Sequence, residues 1–199
     1  LRQLARHLHR GDLPDGLDLG RTVAIDCETM GLNPHRDRLC LVQLSGGDGN
    51  AHLVQIAPGQ TRAPNLERLL ADPEVLKLFH FGRFDIAALY HAFGVLTAPV
   101  YCTKIASKLI RTYTDRHGLK NLLDELLGID ISKQQQTSDW GAADLTEIAG
   151  ELWEQHRRVR AEIVGDDEQM FGRSETESDF TITMIDVLPS APSASVTAA

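Results

Sequence analysis

The 199-residue sequence predicts an α/β domain built on a mixed β-sheet. Two patterns carry that prediction. Short apolar runs at 21–28, 38–45 and 51–56 follow one another with turn residues between them, as in an antiparallel meander. A further apolar run at 75–81 then alternates with helical patterns on either side. No run approaches the ~20 apolar residues that span a bilayer, so no membrane association is expected.

The elements follow in order. Residues 1–13 mix Leu with Arg and His and lack the apolar core of a secretory signal. The run 21–28, rich in β-branched and apolar side chains, is the expected central strand, and Gly31, Asn33 and Pro34 mark the loop after it. The two meander strands at 38–45 and 51–56 are divided by the turn cluster 46–50. Pro64 opens a helix that puts Leu66, Leu69 and Leu70 on one face, with Pro73 beyond its end. After the strand at 75–81, residues 83–93 set Ile86, Leu89, Tyr90 and Phe93 at helical spacing, and Gly94 closes that helix. Helices are expected at 102–111 and at 119–127, the second stopped by Gly128.

Composition limits the function classes. Cys27, Cys40 and Cys102 are widely spaced and form no Cys-x-x-Cys pair, which argues against a zinc ribbon or a redox motif. They read as small core residues in a reducing, cytoplasmic setting. The net charge of −8 is uneven: residues 151–199 carry 10 Asp/Glu against 4 Lys/Arg, which leaves only −2 over residues 1–150. A near-neutral domain with an acidic site remains compatible with phosphate ligands when divalent ions supply the positive charge. The composition shift sets the expected division into a globular domain, 1–164, and an acidic, largely disordered or aberrant tail, 165–199.

Asp26 and Glu28 lie two apart on the central strand, so their carboxylates share a face. Two like charges there repel unless a cation lies between them, and Mg²⁺ favours carboxylate oxygens. The bland alternative is a solvated strand end. Asp85 falls in the first turn of the helix at 83–93, where the dipole favours a negative charge.

Together these residues resemble a known family. The stretch 26–32 (Asp-Cys-Glu-Thr-Met-Gly-Leu) is similar to the first exonuclease motif of the DEDD superfamily, and 80–85 (His-Phe-Gly-Arg-Phe-Asp) to the second. Ser138-Asp139-Trp140 followed by Leu145-Thr146-Glu147 looks like the segment that precedes the last motif in ribonuclease D proteins. The resemblance covers about 22–147. It implies a ribonuclease H-like fold and a 3′→5′ exoribonuclease that uses two divalent cations, Mg²⁺ or Mn²⁺, ~3.5–4 Å apart. Products would be nucleoside 5′-monophosphates. Asp26 would bridge the ions, Glu28 would hold the one bearing the attacking water, and Asp85 would hold the other. Thr29 and Met30 would position the terminal nucleotide, and Leu32 would wedge against the last bases. Phe81 stands where the family often has Asn, and is read as variation in a supporting residue.

Lys104, Lys108 and Arg111 share an expected helix face, with Lys120 in the next helix. They read as a phosphate track toward the metals, the alternative being an ordinary solvated face. The expected partner is RNA, or single-stranded DNA; no protein partner can be inferred. The family's third motif is not found. Counting forward puts Leu152 where a Tyr is expected and His156 where an Asp is expected. A reading-frame change near Glu147 accounts for this, since one shifted frame of Leu-Trp can encode Tyr and one of His156 to Val159 can encode Asp. Genuine divergence, with Asp166 or Asp167 as a substitute ligand, is the alternative. Two further functions stay open: an impaired exonuclease fold that binds 3′ ends without cutting, and an exonuclease acting on DNA.

Overall fold

Among the described residues, six strands and four helices follow one another: β1 (Ala5–Arg10), β2 (Thr22–Thr29), β3 (Leu39–Ser45), β4 (Asn50–Gln55), α1 (Pro64–Ala71), β5 (Leu76–Phe79), α2 (Arg83–Phe93), β6 (Val100–Cys102), α3 (Thr103–Ile110) and α4 (Leu119–Leu127). This computed structural model describes residues 5–33, 35–48, 50–128, 130 and 140–142. The expected third motif, residues 133–139 and the division at 164/165 lie outside them.

One sheet contains all six strands in the order β1-β4-β3-β2-β5-β6. β3 is antiparallel to both β2 and β4, which is the expected meander, whereas β2–β5, β5–β6 and β1–β4 are parallel. The mixed sheet of the sequence prediction is therefore present, with β2 near its centre. The caps follow local rules: Pro64 starts α1, and Gly94 and Gly128 end α2 and α4 in the left-handed conformation.

One face of the sheet packs on α1 and α2. Val23, Ile25 and Cys27 of β2 meet Leu66, Leu70 and Leu89 there. Each fully buried Leu contributes roughly 1.5–3 kcal/mol. A smaller cluster on the opposite face joins Cys40, Leu41 and Leu53 to Trp140, with Leu8 beside it.

Two strands were not anticipated. β1 has no apolar alternation; its Arg and His side chains gave no strand signal, yet it pairs with β4 over six residues. β6 is three residues long and runs directly into α3, so it read as the start of that helix. Among the described residues no helix is long and apolar enough to cross a membrane.

Candidate active site

Strand alternation divides β2 between two environments. Val23, Ile25 and Cys27 enter the core under the helices, so Asp26 and Glu28 project from the opposite face. Their cross-strand partners on β3 are Gln43 and Leu41, and Gln43 Nε2 donates to Glu28 Oε1 at 3.4 Å. A bulge between Glu28 and Thr29 ends the regular pairing and re-aims the side chains at the strand tip. Trp140 packs on this same face through Leu41. Arg38 and Gln55 fasten its neighbours by donating to the carbonyls of Gly141 and Ala142. Trp140 is thereby anchored on the carboxylate side of the sheet.

Asp85 comes from the end of the neighbouring strand. β5 runs parallel to β2, and the turn at 80–82 leads into α2, which carries Asp85 in its first turn. Its Oδ1 accepts the Cys27 backbone N–H at 3.0 Å, tying helix to strand. The residue is only 7% exposed.

The electrostatics show that the three carboxyls are neighbours. Burial, then Asp26 and Asp85, push Glu28 up to about 8. Burial and Asp26 push Asp85 up to about 7, against backbone hydrogen bonds that lower it. Asp26 opens to solvent on one side and is walled by protein elsewhere, so burial raises its carboxyl too. The Cys27 thiol, buried in the core on the other face of β2, is driven up by burial and by all three acids. Two carboxyls raised by burial and by the neighbouring Asp26 form a site short of positive charge. Hard oxygen donors with that deficit fit Mg²⁺ or Mn²⁺. Among the described residues, no three His, Cys, Asp or Glu side chains are drawn in tightly enough to enclose an ion. The carboxyls are electrostatic neighbours rather than a closed ligand shell.

The other predicted residues divide. Thr29 Oγ1 donates to the Gly31 carbonyl at 2.6 Å, bracing the loop after β2. Met30 and Leu32 in that loop are 60% and 85% exposed, leaving apolar surface beside the acids. Lys104 sits with its Nζ 3.9 Å from the centre of the Phe81 ring, and Lys108 is exposed one turn further along α3. Lys120 pairs with Asp130 at 2.5 Å. Arg111 departs from the expected phosphate track. α3 ends at Ile110, and Arg111, its C-cap, turns inward to 5% exposure. There it is ion-paired with Glu125 and donates to the Arg116 carbonyl and Ser107 Oγ. It braces the α3–α4 connection.

Two features escaped the sequence reading. The Cys27 backbone N–H holds Asp85, and no side-chain pattern reveals a backbone donor. Phe81 adopts φ +64°, a left-handed conformation rare for a bulky residue. Asn tolerates that region far better, which gives the family's frequent Asn a physical reason and makes Phe81 more than neutral variation.

A family model described as 3′-5′ exonuclease matches residues 12–151. The chain belongs to the 3′–5′ exonuclease family. Enzymes of this family depend on divalent metal ions. Within it, the ribonuclease D of Gluconacetobacter diazotrophicus is 39% identical over 125 residues, covering 63% of this chain and 31% of the relative. The chain spans about a third of the length of the curated ribonuclease D proteins it matches. NrnC of Brucella melitensis, solved with bound Mg²⁺, is 51% identical, superposes with a TM-score of 0.69 and covers 82% of each chain. The same exonuclease has been solved bound to pGG, again at 51% identity and a TM-score of 0.69, covering 84% of this chain and 85% of that one. Escherichia coli RNase D, an exoribonuclease involved in structured RNA processing, is 25% identical with a TM-score of 0.55, covering 73% of this chain and 40% of the other. The ribonuclease D resemblance read from the motifs and the ribonuclease H-like fold both hold. The family match ends at Glu151, one residue before the position where a Tyr was expected.

Proposed function

We propose that the chain is a 3′→5′ exoribonuclease that removes nucleoside 5′-monophosphates from RNA ends, with substrates extending down to 5′-phosphorylated dinucleotides. The observation that carries this reading is the convergence at the ends of β2 and β5, where Asp26 raises both Glu28 and Asp85 and Asp85 adds to the rise of Glu28. Those three side chains would hold two divalent cations, which supply Lewis-acid stabilisation and a nucleophile at neutral pH when bound. Asp26, flanked by both other acids, is the residue suited to serve both ions. Thr29 fixes the loop that receives the terminal nucleotide, and Met30 and Leu32 give its bases apolar surface. Lys104 and Lys108 lie along the phosphate path, with Lys120 further out on α4. The dinucleotide substrate draws support from pGG, the ligand held by NrnC.

A second reading has its own observation. Leu152 and His156 stand where ribonuclease D proteins carry a Tyr and an Asp, which favours binding of 3′ ends without hydrolysis. Incubation of a 5′-labelled oligoribonucleotide and of pGG with the protein and Mn²⁺ separates the two. Stepwise shortening from the 3′ end, with pGG converted to monophosphates, supports the enzyme. Retention of intact RNA supports the binding module, and loss of both binding and cleavage contradicts either reading. A parallel reaction on DNA reports sugar preference.

A further inference from the structure

The turn that leads into α2 contains an arrangement that the metal site does not require. Phe81 is 53% exposed and held at φ +64°. Its neighbours leave it little choice. A Cβ on Gly82 would lie 2.4 Å from Phe79 Cβ, so the chain passes too close to the strand for any other residue there. Thr103 Oγ1 donates to the Phe79 carbonyl at 3.2 Å, and its remaining acceptor capacity takes the Nδ1–H of His80 at 3.0 Å. The start of α3 is thereby fastened to the turn. Lys104, the next residue, puts its ammonium 3.9 Å from the Phe81 ring centre.

The topology sets this pair beside the acids. The parallel register pairs Ala24 with Leu78 and Phe79 with Cys102. Two residues further along the chain come Asp26, still in β2, and His80 from the first pair, and Phe81, in the turn after β5, and Lys104, in the first turn of α3, from the second. All four therefore gather at the carboxyl ends of β2, β5 and β6, where open α/β sheets take their ligands. A strained backbone that presents an apolar ring to solvent at such a site points to a role in binding.

We infer that Phe81 and Lys104 form one nucleotide subsite, in which the exposed Phe81 ring stacks on a base and the Lys104 ammonium pairs with the adjoining phosphate. The inference rests on the nuclease reading above. It adds a specificity element that the carboxylates do not supply. An aromatic face accepts any base, so the subsite contributes affinity without sequence preference.

The test uses the full chain with a 5′-fluorescein hexaribonucleotide, its affinity measured by anisotropy in Ca²⁺ across a salt series, alongside thermal melts. Phe81→Asn should weaken binding about tenfold while holding or raising the melting temperature, because Asn relieves the left-handed strain. Phe81→Trp should bind within about twofold of the parent, since stacking persists. Lys104→Gln should weaken binding and lower the salt slope by about one. Unchanged affinity in Phe81→Asn overturns the inference and leaves the nuclease reading intact. Affinity that falls together with the melting temperature in Phe81→Asn also overturns it, by making Phe81 a structural residue. Failure of the parent to bind RNA at all defeats the nuclease reading and this subsite with it.

Discussion

Replacing Asp85 with Asn removes one charge from the acidic site and keeps its shape, because an Asn oxygen still accepts the Cys27 N–H. In metal-free protein, Glu28 is pushed up to about 8 and Asp85 to about 7, both well above their values in an unfolded chain. The folded state then holds protons that the unfolded state has released between about pH 4 and pH 8, so these groups lower stability as pH rises through that window. At 1.36 kcal/mol per unit, the Asp85 shift alone corresponds to about 4 kcal/mol as an upper limit. The repulsion is shared among three groups and Glu28 is partly open to water, so about 2 kcal/mol is what Asp85→Asn recovers at pH 8. For a chain of this size that is a melting temperature roughly 4–8 °C higher than the parent's. The measurement is a set of melts in EDTA from pH 5 to 8 on both proteins. The difference between them isolates the site, because burial pushes His52 and His80 down to about 4 and gives the parent an opposing slope below pH 6.5. Adding Mg²⁺ at about 100 times its dissociation constant should raise the parent by about 2.7 kcal/mol and the variant by far less, reversing their order. A variant less stable than the parent at pH 8 without metal, or one with an unchanged Mg²⁺ response, refutes the reasoning.

Further outcomes follow from particular residues. Leu89→Ala, at a fully buried position where α2 meets the sheet, should cost about 2–5 kcal/mol in urea unfolding. It should also weaken divalent-ion binding, since α2 carries Asp85. Arg111→Gln should destabilise by about 1–3 kcal/mol, because Ser107 and the Arg116 carbonyl lose the buried guanidinium that donates to them, and should leave the salt dependence of RNA binding unaltered. Lys108→Gln should do the reverse, changing stability by no more than about 0.5 kcal/mol and lowering the salt slope by about one. Gly82→Ala should lower the melting temperature, since its Cβ collides with Phe79.

The parts of the fold governed by local chemistry were legible from the sequence. The bounds of α2 and α4 follow from helical spacing closed by Gly94 and Gly128, and β2, β3 and β4 from apolar runs cut by turn residues. β1 was not legible because its pairing is backbone to backbone and its side chains are mostly His and Arg, with His7 and His9 stacked on His52 rather than forming an apolar row. At the site, the two-residue spacing of Asp26 and Glu28 fixed their shared face, and the motif order brought in Asp85. Arg111 was misjudged for a definite reason. Helical spacing predicts a shared face only while the helix continues, and α3 stops one residue earlier. Phe81 was undervalued because a positive φ cannot be read from a residue type that seldom adopts it.

The central claim is that Asp26, Glu28 and Asp85 share divalent cations. Anomalous diffraction from crystals of the protein soaked in Mn²⁺ tests it most directly. Two Mn²⁺ peaks bracketing Asp26, with Glu28 on one and Asp85 on the other, are the predicted result. Crystals that take up Mn²⁺ elsewhere, with no peak beside these three carboxylates, contradict it.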